Sequence, residues 1–186
     1  MPTSSYVFTQ AEHAHLTPYL AALHASCITH DSTIATFLPP LNHDKLLTFW
    51  KEGIAEANSG KRLIMILLDE SDPGSRAKGT ELVGVATMVM PQTETGPFRG
   101  FIEKVFVSTK ARRKGYGRRL MAAVEMEAVG RGRTLLMIDT EQGSAAESFY
   151  RSLNFIEVGK IPNYGASPAG GLRDEVFFYK DLRQHS

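Results

Sequence analysis

Cysteines, long apolar runs and an excess of charge are what this sequence lacks. Its 186 residues include one cysteine, Cys27, which excludes an internal disulfide and fits a reducing compartment. No stretch approaches the roughly 18 consecutive apolar residues of a membrane-spanning helix, and residues 1–16 lack the apolar segment of a signal peptide. We therefore expect a cytoplasmic protein that does not bind a membrane.

Positive and negative charges almost cancel, since 21 basic and 20 acidic residues give a formal net charge of +1. This balance argues against a general binder of nucleic acid or of membrane surfaces, which needs an excess of positive charge. The 42% apolar and 22% charged fractions are typical of globular proteins, and the length suits a single core. We predict one domain over residues 1–186.

Hydrophobic periodicity predicts an α/β domain. Trp50 and Ile54 stand at helical spacing after Asn42, a good helix cap, and Thr17 is the predicted cap of an earlier helix. The predicted helices cover 17–27, 42–60, 115–130 and 144–154, and the predicted strands cover 5–9, 62–69, 80–90, 100–108, 134–140, 155–161 and 174–182. The order β-α-α-β-β-β-α-β-α-β-β indicates a mixed sheet flanked by helices. Residues 162–173 are predicted to form a loop.

A basic run that contains two glycines lies between a predicted strand and a predicted helix. Six of the ten residues 110–119 are basic, and Gly115 and Gly117 interrupt them. Glycines at such a junction allow backbone N–H groups and the helix dipole to approach an anion, and a pyrophosphate fits best. The run lacks the Walker pattern, and Leu120 stands where the dinucleotide fingerprint needs a third glycine. A solvated cationic loop is the alternative interpretation.

The wider pattern resembles the GNAT acetyltransferase superfamily. The spacing of Arg112, Gly115 and Gly117 is similar to the acetyl-CoA pyrophosphate loop of that family, and residues 145–155 resemble its second motif. A similarity to the tabtoxin-resistance branch rests on residues 36–41, 135–155 and 159–171. The resemblance implies a single-domain GNAT fold with a mixed, mostly antiparallel central sheet flanked by helices. It also implies acetyl-CoA as co-substrate and direct transfer of acetyl to a primary amine.

The resemblance further implies which residues contact acetyl-CoA. Backbone groups of the basic loop should hold the pyrophosphate, and the preceding strand should pair with the pantetheine arm and polarise the thioester carbonyl. Many GNAT enzymes have Asn where this chain has Gly143, so Ser144 or a backbone group should substitute for it. The predicted cofactor-binding residues are Val105, Phe106, Val107, Arg112, Arg113, Lys114, Gly115, Tyr116, Gly117, Arg118 and Ser144.

Acetyl transfer to an amine requires a base for the ammonium proton and an acid for the departing thiolate. Glu103 lies in an apolar strand, where burial would raise its pKa, and Asp139 lies at the C-terminal end of another strand, the usual ligand edge. The structural alternatives are a Glu103 that faces solvent on an edge or pairs with Lys104 or Arg112, helix capping by Asp139, and simple packing of Tyr150. The resemblance favours Glu103 and Asp139 as catalytic bases and Tyr150 as the general acid.

The acceptor site is expected between two loops that contain proline. The predicted substrate-binding residues are Thr36, Phe37, Leu38, Glu103, Asp139 and Tyr164. Pro39–Pro40 and the loop 162–173 would stiffen the walls of a small closed pocket. Its expected lining is rich in hydroxyls and amides and poor in carboxylates, and comprises Ser32, Thr33, Thr36, Asn42, Tyr164 and Ser167. This lining favours a small polar primary amine, either an amino sugar such as glucosamine or an amino-acid-derived toxin, over a polyamine or a peptide.

Other functions have less support in the sequence. No metal is expected, because His13 and His15 have no third ligand at a usable spacing. A nucleic-acid-binding protein would need more exposed aromatic residues than Tyr116 within the basic run. A lysine acetyltransferase acting on proteins or peptides, and a non-catalytic CoA-binding module, remain alternatives, and the sequence leaves homodimer formation open. The leading hypothesis is an acetyl-CoA-dependent N-acetyltransferase without a metal or a nucleic-acid partner.

Overall fold

The computed structural model of the chain describes residues 3–72 and 75–185, which form a seven-stranded sheet with flanking helices. The strands are β1 (Thr3–Val7), β2 (Arg62–Asp69), β3 (Leu82–Val89), β4 (Arg99–Val107), β5 (Leu135–Glu141), β6 (Ile156–Ala166) and β7 (Leu172–Asp181). The α-helices are α1 (Gln10–His13), α2 (Thr17–Asp31), α3 (His43–Asn58), α4 (Tyr116–Gly130) and α5 (Ala145–Ser152). Apart from the short α1, the predicted order of elements is confirmed.

The sheet has the strand order β1-β2-β3-β4-β5-β7-β6. Neighbouring strands run antiparallel except β4 and β5, which run parallel. This confirms the mixed, mostly antiparallel sheet. No helix in the described ranges is long and apolar enough to cross a membrane.

Local sequence explains where the two long N-terminal helices begin. The side-chain oxygen of Asn42 accepts a backbone hydrogen bond of 2.9 Å at the start of α3, as predicted. The prediction for Thr17 was wrong, because Leu16 precedes α2 and Thr17 is its first residue. A short 3₁₀ turn runs directly into α2, so the chain is already helical there, and the Thr17 hydroxyl donates a 2.7 Å hydrogen bond to the carbonyl of Ala14.

Strand β2 is buried on both faces because helices cover it from both sides. Its side chains alternate between two buried clusters. The cluster beneath α4 contains Leu63, Met65 and Leu67. The cluster beneath α2 and α3 contains Ile64, Ile66 and Leu68. The continuous apolar run 62–69 therefore reflects a strand in the middle of three layers.

Strands β5 and β7 are packed on one face. Leu136 and Ile138 of β5, with Val176 and Phe178 of β7, join the cluster beneath α4 and α5. The opposite face carries Met137 of β5 and Tyr179, which pairs with it on β7. Neither residue belongs to a buried cluster of the described residues. We call this second face, on β4, β5, β7 and β6, the open face.

The predicted loop 162–173 is instead mostly a β-hairpin. Strand β6 continues to Ala166, and β7 begins at Leu172 directly opposite, which leaves residues 167–171 as the turn. The sheet register shifts between Ile161 and Gly165, and this irregularity accommodates the proline at 162. Such a bulge on an edge strand is one of the few places where a sheet tolerates proline. Proline was therefore a misleading loop signal here.

Candidate active site

Strands β4 and β5 pair at one end and then separate. They pair only from Arg99 to Phe101 on β4 and from Leu135 to Met137 on β5. Beyond this point β4 contains a bulge, and Lys104 has a φ of 55°. A cavity of about 1120 Å³ lies here, lined by both strands, by β7 and by the start of α5.

The basic loop presents its backbone at the N-terminus of α4. Gly115 has a φ of 76°, and α4 begins at Tyr116 without a side-chain cap. The first N–H groups of a helix have no partner within it, so those of Tyr116, Gly117 and Arg118 can bind an anion. A Cβ on Gly117 would lie 3.1 Å from the ring of Phe149, so this position has little room for a side chain.

Several side chains of the basic run are occupied by contacts within the protein. The buried Tyr116 donates a 3.0 Å hydrogen bond to Asp69, and Arg118 donates to the hydroxyl of Ser152 at 3.2 Å. Arg112 forms an ion pair with Asp31 at the end of α2. Arg113 and Lys114 are exposed. Of the predicted loop residues, these two have side chains that remain available to phosphates.

The strand and turn residues predicted to contact pantetheine lie beside the cavity. Phe106 is buried in the cluster beneath α2, so only its backbone can contact a ligand, while Val105 and Val107 are half-buried. Val105, Phe106 and Ser144 line the cavity. The Ser144 hydroxyl caps α5 by accepting the N–H of Glu147 at 3.2 Å. The hydroxyl that was expected to substitute for the missing Asn is therefore already engaged in capping the helix.

Tyr150 is buried with 5% exposure and lines the cavity. Its ring packs against Phe149, Phe155 and Phe178 at centroid distances of 5.6, 6.1 and 6.4 Å. Burial, and secondarily the negative charge of Asp139, raises the pKa of the phenol far above its ordinary value. The hydroxyl therefore stays protonated at neutral pH and can act as a proton donor.

Glu103 lines the cavity but is held by two cations. Its carboxylate accepts hydrogen bonds from Lys104 at 2.8 Å and Arg62 at 3.2 Å. Burial favours the neutral acid, yet Lys104 and Arg62 together hold the pKa of Glu103 below its ordinary value. The expected rise in pKa was wrong, and the predicted alternative, an ion pair with Lys104, is observed. Glu103 is therefore a fixed negative charge and a weak base.

Asp139 and Glu175 lie together on the open face at the cavity. Asp139 is exposed and does not cap α5, since Ser144 does so. Glu175 on β7 is buried with 5% exposure and contacts Asp139 by a hydrogen bond between the carboxyl groups. Burial, and then Asp139, raises the pKa of Glu175 to about 8. Glu175 was missed in the sequence, although a carboxylate within an apolar strand was the signal that singled out Glu103.

The acceptor side of the cavity differs from the prediction. Thr33, Ile34 and Ala35 line it, whereas Thr36, Phe37 and Leu38 do not. Thr36 and Leu38 are exposed, and Phe37 packs against the rings of His24 and Phe49. The isolated bridge between Ala35 and Phe37 turns the chain, so the side chains after Ala35 leave the cavity.

Of the other predicted lining residues, Thr33 and Tyr164 reach the cavity and Ser32, Asn42 and Ser167 do not. The exposed Tyr164 packs edge-on against Phe177, with ring centroids 5.2 Å apart. The expectation of few carboxylates was wrong, because the lining includes Asp31, Glu103, Asp139, Glu141 and Glu175. Three of the five lie at one end of the open face, where Asp139 and Glu141 of β5 and Glu175 of β7 are on the same side of the sheet. No cluster of three or more His, Cys, Asp or Glu residues among those described could hold a metal.

The GNAT acetyltransferase family model matches residues 35–155. Solved structures of similar fold include yncA from Salmonella typhimurium, solved with its cofactor acetyl-CoA, at 19% identity, with a TM-score of 0.72 and coverage of 100% of this chain and 97% of that one. Ribosomal-protein-alanine N-acetyltransferase from Brucella melitensis is 22% identical, with a TM-score of 0.70 and coverage of 96% of this chain and 99% of that one. N-acetyltransferase from Staphylococcus aureus Mu50 is 17% identical, with a TM-score of 0.71 and coverage of 98% of this chain and 99% of that one. The family match spans more than half of the sequence, and the chain therefore belongs to the GNAT family of acetyltransferases.

Proposed function

We propose that the protein transfers acetyl from acetyl-CoA directly to the primary amine of a small molecule. The observation that carries this proposal is the convergence, in one cavity, of the gap between β4 and β5, the Tyr150 phenol and the Asp139 carboxyl group. The gap offers an unpaired stretch of β4 to a pantetheine arm. Tyr150 and Asp139 offer the acid and the base that acetyl transfer needs.

The cofactor end is assigned to the basic loop and β4. The free N–H groups at the start of α4 would bind the pyrophosphate, assisted by Arg113 and Lys114. Backbone groups of residues 105–107 would pair with the pantetheine arm, and one of their N–H groups would polarise the thioester carbonyl. These assignments follow the observed backbone geometry and the family pattern. Arg112 can take part only by exchanging Asp31 for a phosphate.

The transfer begins at the substrate ammonium group. A carboxylate in the cavity removes one proton from the substrate ammonium group, which frees the nitrogen lone pair. That lone pair forms the C–N bond while the C–S bond breaks, and both electrons of the C–S bond leave on sulfur. Tyr150 gives its proton to the sulfur and recovers one from the new amide nitrogen. The products are an acetamide and the CoA thiol, and the carboxylic acid later releases its proton to water.

The acceptor is proposed to be a small amine with one positive charge. Asp139 and Glu175 share a proton and so provide about one negative charge, whereas a polyamine would need several. An amino sugar such as glucosamine, or an amino-acid-derived toxin as in the tabtoxin-resistance branch, meets this requirement. The exposed ring of Tyr164 offers an apolar surface to the carbon skeleton of either one. The five carboxylates of the lining make the polyamine spermidine the critical competitor in an assay.

The test is an acetyl-CoA turnover screen that measures kcat/KM for glucosamine, a β-amino compound derived from an amino acid, spermidine and a lysine-containing peptide. We expect glucosamine or the amino-acid derivative to give the highest kcat/KM. A clear preference for the peptide would contradict the small-molecule assignment. A preference for spermidine would show that the cavity carries more net negative charge than one carboxylate pair with a shared proton. Binding of acetyl-CoA without turnover of any amine would favour the non-catalytic module.

A further inference from the structure

Glu175 occupies the buried end of the open face, next to Asp139. Asp139 stands opposite Phe177 in the sheet register, and Glu175 follows two positions away on the same side of β7. Diagonal neighbours of this kind bring long side chains into contact, and the two carboxyl groups are hydrogen-bonded. Two carboxylates at contact distance cannot both stay charged without a large cost, so one proton is held between them.

The other acidic residues of the cavity each have a cationic partner. These ion pairs are Glu103–Lys104, Glu141–Arg173 and Asp31–Arg112. Among the described residues, no Lys, Arg or His forms an ion pair with Asp139 or Glu175. The carboxylate pair is therefore the place in the cavity where the positive charge of a substrate would find an unpaired acceptor.

The hairpin of β6 and β7 holds the Glu175 carboxylate in place. A Cβ on Gly165 would lie 2.7 Å from Oε1 of Glu175 and 3.2 Å from the side chain of Ile34. The missing side chain at Gly165 leaves room for the carboxylate beneath the hairpin. Ile34 closes the same space from the segment after α2. Glu175 is thus a buried side chain, with 5% exposure, at a point where the hairpin meets the segment after α2.

We propose that Glu175 and Asp139 act together as the proton acceptor of the acetyl transfer, and that Glu103 does not accept the proton. This inference rests on the proposed function. In the step, one N–H bond of the substrate ammonium group breaks and an O–H bond forms within the carboxylate pair. The pair first releases its resting proton to water as the substrate cation binds beside it. In the step it then passes from two negative charges to one, and the proton taken from the ammonium group becomes the shared proton of the resting pair.

The surroundings of the pair are compatible with this role. The titratable groups that line the same cavity are Glu103 and Lys104 on β4, Glu141 on β5, Tyr150 on α5 and Tyr164 on β6, with Asp31 and Arg112 paired to each other. Burial, then Asp139 and Glu141, raises the pKa of Glu175 to about 8, and Lys104 opposes the rise. An ammonium group gives up its proton most readily to a base whose pKa lies near the working pH. Glu103, with its lowered pKa, meets this condition less well.

The first test measures the shared proton without any substrate. Because the pKa of Glu175 is raised in the folded state, the folded protein binds more protons than the unfolded chain from the ordinary value of 4.5 up to about 8. Stability from this group is therefore lost as the pH rises through that window. We expect the Tm of the wild type to fall relative to Glu175→Gln between about pH 5 and pH 8. Glu103→Gln, the matched control, should show no such relative fall. A constant Tm difference between the wild type and Glu175→Gln would overturn the shared proton.

The second test measures kcat and its pH profile with the best amine of the turnover screen. Glu175→Gln should lower kcat on the order of 10²-fold and shift the rising limb of the profile, with acetyl-CoA affinity unchanged by calorimetry. Glu103→Gln should leave the limb in place. An unchanged profile in Glu175→Gln, or a shifted limb in Glu103→Gln alone, would overturn the proposal. A wild type that binds acetyl-CoA but acetylates no amine would instead contradict the proposed function, and with it this role, even where the unfolding data show the shared proton.

Discussion

Strands β2 and β3 have helices on both faces, whereas β5 and β7 are packed on one face and open on the other. The side chains of β2 alternate between the cluster beneath α4 and the cluster beneath α2 and α3. On β5 and β7, only the side chains that face α4 and α5 enter a cluster. The open face carries the cavity, and with it Asp139 and Glu175.

Within one sheet, the doubly covered strands supply buried apolar contacts that stabilise the fold, and the strands with an open face carry the carboxylates of the cavity. The interior of a doubly covered strand does not accommodate charged side chains readily, because a buried charge without a partner is costly. The open face permits alternate positions to be acidic, and the segment after α2 and the β6–β7 hairpin bury one of those acids locally. The carboxylates that define the cavity therefore depend on a face that the helices leave uncovered.

Three isoleucines offer the largest expected effect and the most direct test of this separation. Ile66 is fully buried between helices and sheet, Ile138 is 4% exposed beneath α4 and α5, and Ile156 is 50% exposed on the open face. Replacement by alanine should lower the free energy of unfolding by about 2–5 kcal/mol at Ile66 and Ile138. At Ile156 the loss should be about 1 kcal/mol or less. Urea denaturation measures all three, and an equal loss at Ile156 would mean that the open face is packed in solution.

Tyr150 lies in the buried cluster on the covered side of the sheet, and Tyr150→Phe should lower activity there while leaving stability largely unchanged. Loss of the phenol removes one proton transfer and should lower kcat on the order of 10²-fold, with little change in acetyl-CoA affinity. Tyr179→Phe is the matched control, because Tyr179 lies on the open face of β7 but does not line the cavity. Steady-state kinetics with the best amine compare the two variants. A wild-type kcat in Tyr150→Phe would return this tyrosine to a packing role.

Local signals predicted the parts of the site that local structure creates. Asn42 caps α3 as its residue type indicates, and Gly115 and Gly117 mark the junction between strand and helix. The alternating burial of β2 follows from a continuous apolar run. In each case the residues that form the feature are adjacent in the sequence, so propensity and periodicity were sufficient.

Features that depend on distant segments could not be predicted in this way. The Glu175 carboxylate lies beside Gly165, where Ile34 also packs, and the strand that contains Glu175 gives no sign of either neighbour in its sequence. Glu103 loses its expected rise in pKa first through the adjacent Lys104, a partner that the sequence suggested, and then through Arg62, which is 41 residues away in the chain and could not be foreseen. Pro162 predicted a loop, but pairing with β7 extends β6 through this residue. The acidic character of the cavity, the property that bears most on the substrate, was therefore the property that the sequence predicted least well.

The contact between Asp31 and Arg112 offers the smallest expected effect, and it links the end of α2 to the basic loop. Both side chains are partly exposed, so Asp31→Asn should cost about 1 kcal/mol or less of stability. If Arg112 must leave Asp31 to contact a phosphate, removal of the pair also removes that cost, and acetyl-CoA should bind up to about 5-fold more tightly. Arg112→Ala is the control and should weaken binding. Calorimetry at two salt concentrations checks both, since a free Arg112 would make binding more sensitive to salt. Weaker binding in Asp31→Asn would mean that the ion pair holds the loop in its binding conformation.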